Sequence, residues 1–170
     1  MTEFRVTRYD PALRRLDGSF GVETWTSVSD IGRSFENHVL TQEEYLAVED
    51  AYVEAIHLFM DSCNVKTLTL KDLEVNDESE GIVSLPADHR HSNHESYVAG
   101  AQLSGKTLDG AARLTLREQI WCRLEAPGGF FVHFGYDFYM YIGTPGTLGP
   151  PGVSSLLFVE EFGSPYHREE

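Results

Sequence analysis

Four groups of residues in this 170-residue chain combine reactive side chains at suggestive intervals. Gly100, Gly105, Lys106 and Thr107 fit the phosphate-loop pattern G-x-x-x-x-G-K-[ST]. In that pattern backbone N–H groups cradle phosphates and the lysine reaches the outer ones. His89, His91 and His94 stand in H-x-H-x-x-H, between Asp88 and Glu95. On an extended segment the first two imidazoles project to one side and could chelate zinc. Cys122, His133 and Asp137 supply the residue types of a thiol nucleophile and its base. Glu125 with Glu160 and Glu161 supplies carboxylates for acid–base work.

Each chemistry needs a scaffold that the surrounding residues provide only in part. A phosphate loop needs a buried strand before it, a helix after it and a parallel sheet to aim it. Here residues 96–99 make a poor strand, Asp109 and Gly110 weaken the helix start, and the chain beyond that helix reads as antiparallel hairpins. The stretch 100–107 therefore reads as a turn into a helix, and nucleotide binding is not expected. The histidines sit in a polar segment with no neighbours to orient the imidazoles, so it reads as a solvated loop. No metal and no cofactor are expected. Alternation turns Cys122 towards the core, where a thiol is inert. In a chain with 27 acids, adjacent glutamates arise without any catalytic purpose.

Periodicity supplies the scaffold for these groups. Residues 4–9 alternate apolar and polar until Asp10 and Pro11 stop them, a first strand. Residues 10–24 form a loop with a turn at Asp17 and Gly18. The hydroxyl-rich residues 25–32 form a short strand, or a turn with Asp30 as a cap. Thr41 and Glu44 spell a capping box: the hydroxyl accepts from the Glu44 N–H and the carboxylate reaches back. Tyr45, Val48, Tyr52, Ala55, Ile56 and Phe59 then recur at spacings of three and four, with Glu43, Glu49, Asp50 and Glu54 mostly off the stripe. This predicts a helix ending near residues 62–64.

Residues 65–71 alternate with period two and predict a strand that buries Leu68 and Leu70. A polar surface loop is expected over about 76–106 and a second helix over 107–119. Residues 120–125 read as a strand rather than a helical extension. Residues 130–134 and 138–142, joined at Gly135, Tyr136 and Asp137, predict a β-hairpin, and residues 156–162 a last strand. Short turns imply antiparallel pairing. The expected fold is one α+β domain over residues 1–170, a mainly antiparallel sheet with two helices packed on one face.

Alternation along the hairpin singles out a further face. With Phe130, Val132, Phe134, Phe138, Met140 and Ile142 turned to the core, Phe131, His133, Tyr139 and Tyr141 point the other way. Arg123 and Glu125 join them from the preceding strand. Tyrosine and arginine are enriched where proteins bind. His133, Tyr139, Tyr141, Arg123 and Glu125 are therefore the candidate binding residues, unless a helix or loop covers that face. The alternative is a small-molecule enzyme with a site around His133, Tyr139 and Glu160 or Glu161.

Charge narrows the partners. There are 27 Asp and Glu against 13 Lys and Arg, a net charge of −14. Residues 36–95 alone hold 14 acids against Lys66, Lys71 and Arg90. Such a surface repels phosphate backbones, so no nucleic-acid partner is expected, and it attracts a basic protein. It also keeps the chain soluble. With 41% hydrophobic and 12% aromatic residues the chain can build a core without disulfides or metal. Cys63 and Cys122 have no paired spacing; one disulfide between them is open, and two buried, reduced thiols are the simpler reading. The start has no basic-then-apolar leader, and no apolar run approaches about 18 residues. A cytoplasmic location without a membrane partner is the expectation.

Residues 116–125 (LREQIWCRLE), 131–143 (FVHFGYDFYMYIG) and 158–162 (FVEEF), with Ser164, Pro165 and Tyr166, resemble a family of small bacterial proteins. Residues 25–32 (WTSVSDIG) and 39–45 belong to the same resemblance, which departs over 76–106. It implies a grouping at the level of fold and brings no activity. Size, acidity and the aromatic face are together similar to the small immunity proteins with which bacteria neutralise toxins. The expectation is a non-enzymatic binding protein with a basic protein partner, met through residues 36–95 or the tyrosine-rich face.

Overall fold

The computed structural model describes residues 1–76 and 94–167. His89 and His91 lie outside them. Helix α1 (Gln42–Ser62) starts where the capping signal places it, with Thr41 Oγ1 accepting the Glu44 N–H at 3.1 Å. The returning half of the box is not made, because the Glu44 carboxylate meets His38 Nε2 at 2.5 Å instead. Tyr45, Tyr52, Ile56 and Phe59 are at most 1% exposed. Burying each such side chain contributes roughly 1.5–3 kcal/mol.

One acid expected off the stripe lies inside it. Glu49 is fully buried and accepts from Arg113 Nη1 at 2.7 Å, Arg117 Nε at 2.8 Å, Arg117 Nη2 at 2.6 Å and the Tyr45 hydroxyl at 3.1 Å. Helix periodicity sees only one helix. The cations come from helix α2 (Gly105–Leu116) and its C-cap, so this buried charge ties the two helices together.

Seven strands form one sheet: β1 (Thr2–Thr7), β4 (Leu68–Val75), β5 (Gln102–Leu103), β6 (Ile120–Ala126), β7 (Phe130–Phe134), β8 (Tyr139–Thr144) and β9 (Phe158–Glu161). Their order is β5-β4-β6-β7-β8-β1-β9 and every pairing is antiparallel. A separate small hairpin joins β2 (Ser34–Phe35) to β3 (His38–Val39). The molecule is thus a single-domain α+β fold whose open antiparallel sheet carries two helices.

Register explains the two faces. Leu70, Leu124, Val132, Ile142 and Phe4 stand opposite one another across five strands, all buried. They form the helix-facing core, with Phe4 and Phe59 ring centroids 5.4 Å apart and Thr115 of α2 against Cys122 at 3.5 Å. On the other face Lys71, Arg123, His133, Tyr141, Arg5 and Glu160 make one row across six strands.

Several boundaries differ from expectation. β4 starts three residues after the alternation does and slips register between Lys71 and Glu74, where Asp72 takes φ 51° in a bulge. Residues 25–32 fold as a 3₁₀ turn, Val28–Asp30, whose Asp30 carboxylate accepts the N–H groups of Thr26 and Ser27. The polar stretch ends before β5 and α2 rather than at 106. β5 is too short to read from pattern and exists because β4 offers it an edge. Gln102 and Leu103, in the middle of the phosphate-loop pattern, are extended and paired with Thr69 and Leu68, where a phosphate cradle would need them curled. Cys122 is buried and Cys63 half-buried, both free. Among the described residues no helix is long and apolar enough to cross a membrane.

Candidate functional site

The residues that alternation grouped do share a face: Arg123, His133 and Tyr141 stand side by side, and Arg123 Nη1 reaches Glu125 at 3.2 Å. That face is not open. Residues 162–167 lie across it, and His133 and Tyr141 are only 1% and 6% exposed. Ser164 Oγ sits 2.8 Å from His133 Nδ1, and Tyr166 and Phe162 rings pack on Tyr141 with centroids 5.8 and 6.2 Å away. Glu3 holds this segment by accepting the Ser164 N–H at 2.6 Å and meeting His167 Nε2 at 3.0 Å. Burial, then Arg123 and His167, push the His133 pKa down to about 4, so the ring is neutral at pH 7. Burial pushes the Tyr141 hydroxyl up to about 12. Sequence alternation assigns a side chain to a face but cannot see a distant segment folding back over it.

The alternative enzymatic trio does not converge. His133 is in β7 and Glu160 in β9, three strand spacings apart, or about 14 Å. Glu160 instead pairs with Arg5 at 3.1 Å and Arg14 at 3.0 Å. Tyr139 stacks beside Tyr9, 5.4 Å between centroids. Cys122 is buried on the helix side, its thiol pushed up to about 11 by burial, whereas its row neighbours place His133 on the opposite face. Among the described residues no three His, Cys, Asp or Glu side chains come together as a metal set.

A concave site lies elsewhere, at the end of the sheet where α2 finishes. It is a cleft of about 600 Å³, walled by Glu74 and Asn76 of β4 and its exit, Glu118, Trp121, Phe134, and the turn carrying Tyr136, Asp137 and Phe138, with Tyr166 closing one side. That size is in the range of small-ligand sites, about 300–1,000 Å³. Three lining residues, Glu118, Asp137 and Phe138, are non-glycine residues in the left-handed region, with φ 61°, 57° and 61°.

Local hydrogen bonding accounts for each of these conformations. α2 ends in a Schellman motif: Glu118 N–H bonds Thr115 O at 3.0 Å and Gln119 N–H bonds Leu114 O at 2.9 Å, leaving Glu118 at the position that favours glycine. α1 ends the same way on Asn64, φ 54°, a residue that tolerates this conformation. At the hairpin, Tyr9 Oη donates to Asp137 O at 2.7 Å and Tyr52 Oη to Phe138 O at 2.5 Å. Trp25, Tyr45 and Tyr52 close around the Phe138 ring, with centroids 5.1, 5.9 and 5.4 Å away. The core thus holds the strained dipeptide and presents Asp137 at the cleft mouth beside Tyr136, which is 80% exposed.

The electrostatics of the cleft have one sign. Among the described residues its walls contain Glu74, Glu118 and Asp137 and no Lys, Arg or His. Arginines elsewhere find acids: Arg33 pairs Asp30, Arg113 pairs Asp50, and Arg123 pairs Asp72. The three cleft carboxylates have no cationic partner among the described residues. Ser27 Oγ reaches Glu118 at 3.4 Å. Loss of solvent in the cleft, with Asp137 and Asp30 adding like charge, raises the Glu118 pKa above the usual carboxylate value. Sequence reasoning does not find this site, because residues 135–137 read only as a turn. The expected helix over 107–119 also hides Glu118: α2 ends at Leu116, three residues earlier, and only that end puts a glutamate where glycine or asparagine is usual.

Fold and site together define a single-domain antiparallel α+β protein with an acidic, aromatic-walled cleft at one end of its sheet. No family model, no curated protein and no solved structure matches the chain.

Proposed function

We propose that this is a non-enzymatic binding protein that receives a basic protein partner, in the manner of the small immunity proteins. The observation that carries this reading is the cleft with three carboxylates, no basic residue among its described wall residues and an exposed aromatic rim. A cavity with that lining repels anionic ligands and steers cationic ones, and the −14 net charge extends the attraction outward. The candidate residues of the other face serve this function indirectly, since Tyr141 supports Tyr166, a wall of the cleft. The test is affinity capture from the protein's own cells with wild type and with a Glu118→Lys, Asp137→Lys double variant. A basic protein retained by wild type, released by salt and lost with the variant is the expected result. Capture indifferent to both substitutions, or no basic partner at all, would overturn the reading.

A further inference from the structure

We propose that the cleft takes one planar guanidinium, the end of an arginine side chain on the partner, in the corner formed by the rings of Trp121 and Tyr166, beside Tyr136 and against the carboxylates of Glu118 and Asp137. This rests on the binding reading above and specifies the group that is bound.

The shape of the cavity leads to it. Trp121 and Tyr166 stand at 57° with centroids 6.4 Å apart, a corner of two flat faces, and Tyr136 offers a third ring at the rim. The corner is rigid. Trp121 Nε1 donates to Phe134 O at 2.9 Å, and Tyr166 packs so closely on Gly135 that a Cβ there would lie 2.9 Å from its Oη. A guanidinium stacks on such faces, holds its water less tightly than an ammonium, and carries a fork of donors that can address carboxylates on two separate elements. An ammonium is a compact, strongly hydrated charge that gains less from flat walls.

The backbones that carry the two carboxylates are held in place. The Glu118 backbone is fixed by the helix-end motif and by Asn76 Nδ2, which donates to its carbonyl at 2.9 Å, and Ser27 Oγ lies 3.4 Å from its carboxylate. The Asp137 backbone is fixed by the tyrosine clamp behind it, which sets where its side chain leaves the turn. Holding like charges together in the cleft is unfavourable, and a bound cation relieves it, so the arrangement favours the occupied state.

The experiment is an NMR titration of the full chain, observing the Trp121 indole N–H and the Glu118 and Asp137 amides. The probes are N-acetyl-arginine amide, N-acetyl-lysine amide, free L-arginine and tetramethylammonium. The arginine amide is expected to saturate these shifts with an affinity about tenfold above the lysine amide. Glu118→Gln and Glu118→Gly are each expected to weaken it about tenfold, the glycine variant being secure in its fold because the backbone there favours glycine. Free arginine, with a carboxylate the cleft repels, is expected to bind no tighter than the amide; tighter binding would make the ligand a free guanidino compound and overturn the side-chain assignment. Tetramethylammonium above the arginine amide, or no saturable shift, would overturn the guanidinium. Partner capture that still depends on Glu118 and Asp137 while the arginine amide fails would remove this inference and leave the binding reading in place.

Discussion

Glu49 shows what a single buried charge does in this molecule. Its carboxylate accepts four hydrogen bonds, three of them from arginines near the end of a different helix. Replacing it with glutamine keeps the volume but leaves Arg117, 6% exposed, facing a neutral amide. Glu49→Gln should therefore cost about 3–5 kcal/mol of stability, read from urea unfolding, because the penalty is the uncompensated charge. His133 makes the second residue-scale prediction. Its folded pKa is about 4 against an ordinary 6.5, so between those values the unfolded chain binds a proton that the folded chain does not. Stability should fall by about 2 kcal/mol between pH 7 and pH 5 on this account. Burial works against the Glu3 carboxylate, but the Ser164 N–H and His167 outweigh it and hold its pKa low, so its contribution is lost only in more acid solution. His133→Phe should flatten the slope between pH 5 and 7; an unchanged slope would assign it to other groups.

Among the elements, helix ends and tight packing set the cleft. Glu118 occupies a left-handed position that costs a non-glycine residue about 1–2 kcal/mol, partly offset by the greater chain entropy of glycine in the unfolded state. Glu118→Gly should raise stability by up to about 1 kcal/mol in thermal or urea unfolding. A gain in stability with a loss of cation binding would show that the acid is kept for its ligand. Gly135 works in the opposite sense. A Cβ there would meet Tyr166 at 2.9 Å and Tyr139 Cβ at 3.3 Å, so Gly135→Ala must move the Tyr166 ring. The expected result is a cost of about 1–3 kcal/mol and a shifted Trp121 indole resonance, since the two rings share the corner.

The whole molecule is stitched by its first strand. β1 pairs on one side with β8 and on the other with β9, joining Thr2 to Thr144 and Phe4 to Glu161. Such distant pairings make loop closure costly before contacts reward it, so folding belongs to the slower, high-contact-order class. Deleting residues 1–7 removes the strand between β8 and β9 and the Glu3 anchor of residues 162–167 together. The truncated chain should show no cooperative urea transition, whereas a retained transition would mean that β8 and β9 can close on each other.

Local rules carried the elements. Both long helices, the hairpin, the strand at 120–126 and the α+β class were legible, because hydrophobic period and capping chemistry are properties of neighbouring residues. Alternation also put His133, Tyr139, Tyr141, Arg123 and Glu125 on their common face. It could not show that residues 162–167 cover that face, that Glu49 finds its cations 64 and 68 residues away, or that β5 would pair at an edge. The cleft was hidden for the same reason. Glu74, Glu118, Trp121, Asp137 and Tyr166 come from separate elements, and no spacing in the chain encodes their meeting. A period describes one element against a core that it presumes; a concavity exists only where several elements stop short of one another, and that is set by how they pack.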